Sequence, residues 1–263
     1  IEVAAPMPRL APVTIATWPS IPNRFMSMPS PWPRPDSRGN PAPMLLDTVL
    51  MSLLPPDDDL DLVHTRDYEV RVYLVAADEL LVRGAISDMK PPGLYVVDDP
   101  EPLEIHQMQV ELRVSLPSLT ITAANVVFET HPHESCPMIT THYESLVGLA
   151  VARGFTHKVR ELFGGPRGCT HTTALLQAMA PAVVQSTWSV SVKQARATGI
   201  PAGAPDDENR QRRFLGNINT CHVWEEDGPH VAELRSGGTP APPLQVTERL
   251  VQLGREPDEW RLG

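Results

Sequence analysis

The chain has 263 residues, 29 prolines, three cysteines and a formal net charge of −10, with an isoelectric point near 5.3. That balance, without clustered Lys and Arg between aromatics, excludes a phosphate-backbone face, so no nucleic-acid partner is expected. Three widely spaced cysteines are an odd number and make no disulfide framework, and no apolar run reaches the roughly 18 residues of a membrane span.

Proline sets the organisation. Thirteen of the 29 prolines precede Leu60, in runs such as Pro31, Pro33 and Pro35, where fixed φ and missing N–H groups oppose helix and interior strand alike. Residues 1–60 are therefore expected to form an extended arm, in which Trp18 and Trp32 would pack rather than bind a cofactor. The longest apolar candidate within it, Met44 to Leu54, is interrupted by Asp47 and closed by Pro55 and Pro56, so no membrane association is expected. The start, Ile1 to Pro6, lacks a basic and then apolar leader, and a cytoplasmic protein is expected. An acidic run from Asp57 to Asp61 marks the boundary to a domain spanning 61–236, and 237–263 reads as a tail with a short helix at Thr247 to Leu253.

Period-2 alternation opens the domain. His64, Arg66, Tyr68, Val70, Val72 and Leu74 share one face of a first strand, and Leu80, Val82, Gly84, Ile86 and Asp88 one face of a second. The second strand stops near Lys90, because Pro91, Pro92 and Gly93 cannot continue a ladder. A third strand alternates most cleanly, with Glu104, His106, Met108, Val110, Leu112, Val114 and Leu116 on one side. A fourth, Leu119 to Phe128, is rich in Thr, Val and Ile. The period then becomes helical. Leu146, Leu149, Val151, Phe155, Val159 and Leu162 predict a helix from Tyr143 to Phe163 that ends at Gly164, Gly165 and Pro166. A second helix follows Gly168, with Leu175, Leu176, Met179, Ala180 and Val183 on its stripe and a kink at Pro181. A last hairpin is expected across Cys221 to Trp224 and His230 to Leu234. The fold class is α+β: an antiparallel sheet of about four to six strands packed with two or three helices.

The chemistry-bearing groups follow from these placements. Each of the first three strands carries polar residues at one end of its apolar face: His64 with Arg66, Asp88 with Lys90, and His106. A buried His or Asp must be paired, so this placement carries an energetic cost that a site would justify, although capping of strand ends in solvent is the alternative. Gly164 to His171 joins two helices and presents Cys169 and His171 at a helix start, where unpaired N–H groups lower a thiol pKa and favour anions. Ligand binding is accordingly expected at Arg66, Lys90, Gly165, Gly168 and Thr170. The competing explanation is a tight turn in which the glycines supply positive φ and Thr170 caps the helix. Each cysteine also lies near a histidine: Cys136 after His133, Cys169 before His171, Cys221 beside His222. Cys169, His171, Cys136 and Cys221 thus form a candidate zinc or iron set, without the spacing of a zinc finger. His131 and His133 could chelate from an extended segment or be solvated.

His64 and Arg66, Ser87 to Lys90, His106 and Met108, Leu146 to Leu149 with Gly154 and Phe155, and above all Gly164, Gly165, Gly168, Cys169, Thr170 and His171 resemble the bacterial family called domain of unknown function 2889. The resemblance runs from about His64 to Asp227 and includes the positions of Cys136 and Cys221. It implies these domain boundaries and the same polar groups, and no substrate. The chain departs from the family pattern in its long arm and at Thr172, where an apolar residue is usual.

Together these features predict an enzyme acting on a small organic acid or acyl compound, with Cys169, His171, His64, Asp88 and His106 around one cleft. Two chemistries fit, a cysteine nucleophile with histidine proton transfer or a metal-assisted lyase or hydrolase. The alternatives are a non-catalytic small-ligand binder using the same cleft, and a structural protein whose arm docks elsewhere. A small-molecule ligand is expected as partner, and homo-oligomerisation is compatible with the sequence.

Overall fold

The computed structural model describes residues 54, 59–199, 217–236, 243–257 and 259. Nearly all of the expected arm and all of the stretch 200–216 lie outside them. Four strands, β1 (Thr65–Ala76), β2 (Glu79–Lys90), β3 (Leu103–Ser115) and β4 (Thr120–Thr130), pair antiparallel in the order β1-β2-β3-β4. This is a meander in which each strand pairs with its neighbour in sequence, as short connections favour.

One face of the sheet is the core face. Leu80, Val82 and Ile86 of β2, Met108, Val110, Leu112 and Val114 of β3 and Ile121 of β4 are at most 1 % exposed. The alternation predicts the apolar part of this face in β2 and β3, from Leu80 to Ile86 and from Met108 to Val114. It is covered by α2 (Thr170–Thr198), which packs on β1, β2 and β3, and by the 3-10 segment Cys136–Leu146 beside β4, while α1 (Phe155–Phe163) packs against α2. Phe155, Val159, Phe163, Leu175, Leu176, Met179 and Val183 of the two helices join one core with the sheet. Gly84 lets α2 approach closely: a Cβ there would stand 2.6 Å from Met179 Sδ. The opposite face carries cross-strand ion pairs instead, Arg83 to Glu111 at 2.8 Å and Arg113 to Glu79 at 2.7 Å. The described residues from Leu62 onward belong to one compact unit of α+β architecture.

Four expectations are corrected. Tyr143 to Phe163 is not one helix: a 3-10 segment, Cys136–Leu146, precedes α1. Gly148 (φ 89°) and Gly154 (φ 92°) adopt left-handed backbone between them, which an α-helix cannot contain. Glu104 does not share the face of His106. The register slips at the bulge that pairs Asp88 with His106 and Met89 with Glu104, and the extra residue, Ile105, reverses the alternation beyond it. Glu104 therefore points to the other face, where Ser87 Oγ (2.7 Å) and Thr130 Oγ1 (2.6 Å) donate to its carboxylate. The last hairpin is absent; its halves are a 3-10 turn, His222–Trp224, and a short helix, α3 (Pro229–Arg235), which starts at Pro229, a residue suited to the first turn of a helix. Finally, Cys169 rather than Thr170 is the N-cap of α2, with no side-chain capping bond. In the C-terminal segment α4 (Leu244–Gln252) covers most of the expected short helix. α2 runs through Pro181 uninterrupted, at the loss of the hydrogen bond to the Gln177 carbonyl.

Candidate active site

The polar strand ends do meet. Arg66, Asp88 and His106 lie opposite one another in a single cross-strand row on the core face, the continuation of the rows that are apolar farther along the sheet. At this position the core ends, and Asp88 is only 3 % exposed. A carboxylate so placed must be compensated, and four side chains do this. Arg66 holds it in a fork, Nε to Oδ1 at 2.6 Å and Nη2 to Oδ2 at 2.7 Å. His106 Nδ1 lies 3.1 Å from Oδ2, His171 Nε2 3.0 Å from the same oxygen, and His64 Nε2 3.5 Å from Oδ1. The hydrogen bonds from Arg66 hold the Asp88 carboxyl at about 2, against the opposing effect of burial. It is therefore ionised throughout the neutral range.

α2 brings the remaining groups. Its first turn places the His171 ring against that of His106, with centroids 4.0 Å apart and planes at 29°. Burial first, and then the neighbouring His106, push the His171 pKa below its ordinary value of 6.5, so His171 is neutral at pH 7. Because its Nε2 faces an ionised carboxylate that only accepts, the ring's single proton belongs on Nε2. Nδ1 is then left with a free lone pair. That atom is 3.7 Å from Cys169 Sγ. A continuous relay results, from thiol to imidazole to carboxylate.

The turn that carries Cys169 is fixed by backbone requirements. Gly165 sits at φ +62°, and a Cβ on Gly168 would stand 2.5 Å from the Phe163 carbonyl oxygen. Both glycines have this structural reason to be there, and nothing further assigns them the expected ligand-binding role. Tyr143, which no motif singles out, is 1 % exposed. Its Oη accepts the Cys169 N–H at 2.7 Å, which ties the 3-10 segment to the start of α2. Burial raises the Tyr143 pKa, so it stays a neutral phenol. Its only signal in the sequence was its place at the start of a predicted helix. Thr172, the departure from the family pattern, is fully buried.

Seven of the predicted residues thus converge: His64, Arg66, Asp88, Lys90, His106, Cys169 and His171. Lys90 joins through His64, with Nζ 3.1 Å from Nδ1. The expected Cys169, His171, Cys136 and Cys221 metal set does not form. Among the described residues, the group whose ligand atoms all lie within 4.8 Å of one another is Asp88, His106 and His171. Cys136 instead packs against the hydrophobic core and Cys221 is exposed. His131 Nδ1 is engaged with the backbone carbonyl of His133 at 2.9 Å, and neither histidine belongs to the Asp88, His106 and His171 group.

No helix among the described residues is long and apolar enough to cross a membrane. No curated protein and no solved structure matches the chain. The family model described as "Protein of unknown function (DUF2889)" matches residues 64–185, a span that begins at His64, ends inside α2 and encloses every member of the cluster. Residues 64–185, and with them the relay, belong to the DUF2889 family.

Proposed function

We propose that the protein is an enzyme acting on a small organic acid or acyl compound through Cys169 as nucleophile. The observation that carries this reading is the relay, with Cys169 Sγ 3.7 Å from His171 Nδ1 and His171 Nε2 3.0 Å from Asp88 Oδ2. These are the relations of nucleophile, base and orienting carboxylate. Neutral His171 takes the thiol proton on Nδ1 as the sulfur attacks the acyl carbon and the carbonyl electron pair moves to oxygen. Asp88 holds the ring in place and stabilises the imidazolium. The oxyanion forms beside the first N–H groups of α2, which have no partner within the helix. Collapse expels the leaving group with the proton from His171, and water releases the acyl group from sulfur by the same steps.

The chain contains its own controls for a test. Cys221 is exposed, whereas Cys169 and Cys136 are half-buried, so accessibility alone would make Cys221 the fastest to alkylate. The expectation is the reverse near neutral pH: Cys169 reacts first with iodoacetamide, and His171→Ala removes its advantage. Faster labelling of Cys221, unchanged by His171→Ala, would count against the thiol reading.

A metal-assisted lyase or hydrolase is the second reading, because Asp88, His106 and His171 supply two imidazoles and a carboxylate within 4.8 Å, a donor set suited to iron or zinc. Against it stands Arg66, whose guanidinium already occupies both oxygens of Asp88. Elemental analysis of the full chain, beside a His106→Ala variant, separates the two. Near-stoichiometric metal that falls in the variant favours the second reading.

A further inference from the structure

Between β2 and β3, at the same end of the sheet as the cluster, the chain exposes four consecutive apolar side chains. Leu94 is 47 %, Tyr95 60 %, Val96 54 % and Val97 81 % exposed. A continuous apolar run left in water usually marks a contact surface, since single exposed apolar residues are ordinary but a contiguous patch is not. This run is physically tied to the site. Lys90 Nζ lies 5.3 Å from the centre of the Tyr95 ring and 3.1 Å from His64 Nδ1, and His64 Nε2 lies 3.5 Å from Asp88.

The charges at this mouth do not cancel. Asp88 is neutralised by the Arg66 fork, whereas no carboxylate among the described residues forms an ion pair with Lys90. Asp98 and Asp99 follow the apolar run, but the Asp99 carboxylate accepts the N–H of Glu101 at 3.1 Å, and neither pairs with Lys90. Among the described residues the cluster is therefore left with a cation that has no carboxylate ion pair, beside an aromatic ring and an apolar edge, on a chain whose net charge is −10. An ammonium held over a ring and against an imidazole keeps a free N–H direction for an anion.

We propose that this mouth is a binding subsite for a carboxylate attached to an apolar body. Lys90 takes the carboxylate, Tyr95 and its neighbours take the body, and the acyl or reacting carbon is directed toward Cys169. The assignment rests on the proposed thiol chemistry for its purpose but not for its geometry, and its test reads binding alone. Thermal shift and titration calorimetry on the full chain would use phenylacetate and isovalerate, with acetate as the probe lacking a body and phenylacetamide as the probe lacking charge. The expected result is that the two full probes bind measurably tighter than acetate or phenylacetamide. Lys90→Met and Tyr95→Ala should each raise their dissociation constants about tenfold, the size of one lost charge or ring contact. Equal binding of phenylacetamide, indifference to both substitutions, or no binding by any probe would overturn the subsite. So would a concentration-dependent dimer abolished by Tyr95→Ala, since the patch would then serve a second copy of the chain. Alkylation of Cys169 is read separately: tight, substitution-sensitive binding with an unreactive Cys169 would sink the thiol chemistry and leave the subsite standing.

Discussion

The two ends of one sheet face are built from the same alternation and held by different physics. At one end Leu80 pairs with Val114 and Val114 with Ile121, all of them fully buried. At the other, Arg66, Asp88 and His106 occupy the equivalent row. The apolar end gains from burial, which is non-directional and forgiving of small shifts. The polar end closes only if four donors reach one carboxylate in good geometry, and one of them, His171, arrives from α2. That helix is positioned by the apolar rows through Leu175, Leu176 and Met179. The core thus sets the distance at which the site assembles, and the two ends should respond differently to substitution.

The largest expected difference is in activity. Cys169→Ala should abolish turnover, a loss on the order of a thousandfold or more, while changing stability little because the side chain is half-buried. Leu112→Ala should do the opposite, costing about 2–5 kcal/mol by lost transfer energy and cavity formation, measurable as a lower denaturation midpoint, with Cys169 alkylation retained wherever the chain is still folded. A Leu112 variant that is stable but unreactive would show that the site does not assemble independently of that row.

Next is Arg66→Met, which removes the fork and leaves Asp88 with histidine partners. A fully buried pair broken in this way costs about 3–5 kcal/mol. Because the Arg66 side chain is 37 % exposed, a loss nearer 1–2 kcal/mol is expected after allowance for solvent screening. The acid limb of stability sharpens the point. With Asp88 at about 2 in the fold and 3.8 ordinarily, the unfolded chain binds a proton between those values that the folded chain does not. This contribution is present above about pH 4 and disappears as pH falls toward 2. His171 acts in the same direction: its folded pKa lies below 6.5, so stability also declines as pH drops below that value. Chemical denaturation from pH 7 down to 2 should show both losses. In Arg66→Met the lower limb should shrink, since losing the fork lets the Asp88 pKa return toward its ordinary value and closes the gap between the folded and unfolded chain.

How much of this was legible in the sequence follows the same division. The apolar rows could be read residue by residue, because period 2 on a half-buried sheet leaves a signal in every second position. The convergence of His64, Arg66, Asp88 and His106 could be read from their shared strand ends. The bulge at Ile105 could not, since nothing in the residues from Leu103 to Met108 distinguishes an extra residue from a regular one, and Glu104 was placed on the wrong face. The break between the 3-10 segment and α1 had a visible cause in Gly148 and Gly154, but apolar spacing across them imitated a helix. Cys136 and Cys221 were grouped with Cys169 through nearby histidines, a proximity along the chain that the fold does not carry into space. Tyr143 stood out only as the start of a predicted helix, and nothing local marked its role, because its partner, the Cys169 N–H, is 26 residues away.

A smaller effect tests how the core sets the site. A Cβ at Gly84 would meet Met179 Sδ at 2.6 Å and Leu175 Cδ1 at 3.2 Å, and Met179 is itself 1 % exposed. Gly84→Ala should cost about 1–3 kcal/mol by overpacking and push α2 outward at its middle. If α2 moves as a rigid rod, His171 is lifted from Asp88 and Cys169 alkylation slows along with the loss in stability; if Met179 alone repacks, stability falls and reactivity is kept.

Tyr143→Phe is the smallest change and the one that reports on the site with least disturbance to the core. The ring remains packed against Phe163, 4.7 Å between centroids, and what is removed is the hydroxyl that accepts the Cys169 N–H and donates to the Cys169 carbonyl at 3.4 Å. A backbone donor left without its partner costs about 1–3 kcal/mol when buried, and the lower end is expected here because Cys169 is half-buried. Freed from Tyr143, the N-cap of α2 has no other described side chain to fix it, so the 3.7 Å approach of Cys169 Sγ to His171 Nδ1 loses its support from the 3-10 segment. Cys169 alkylation near neutral pH should then slow by more than the stability loss explains. If the rate is unchanged, the hydrogen bond from Cys169 holds the fold together without positioning the nucleophile.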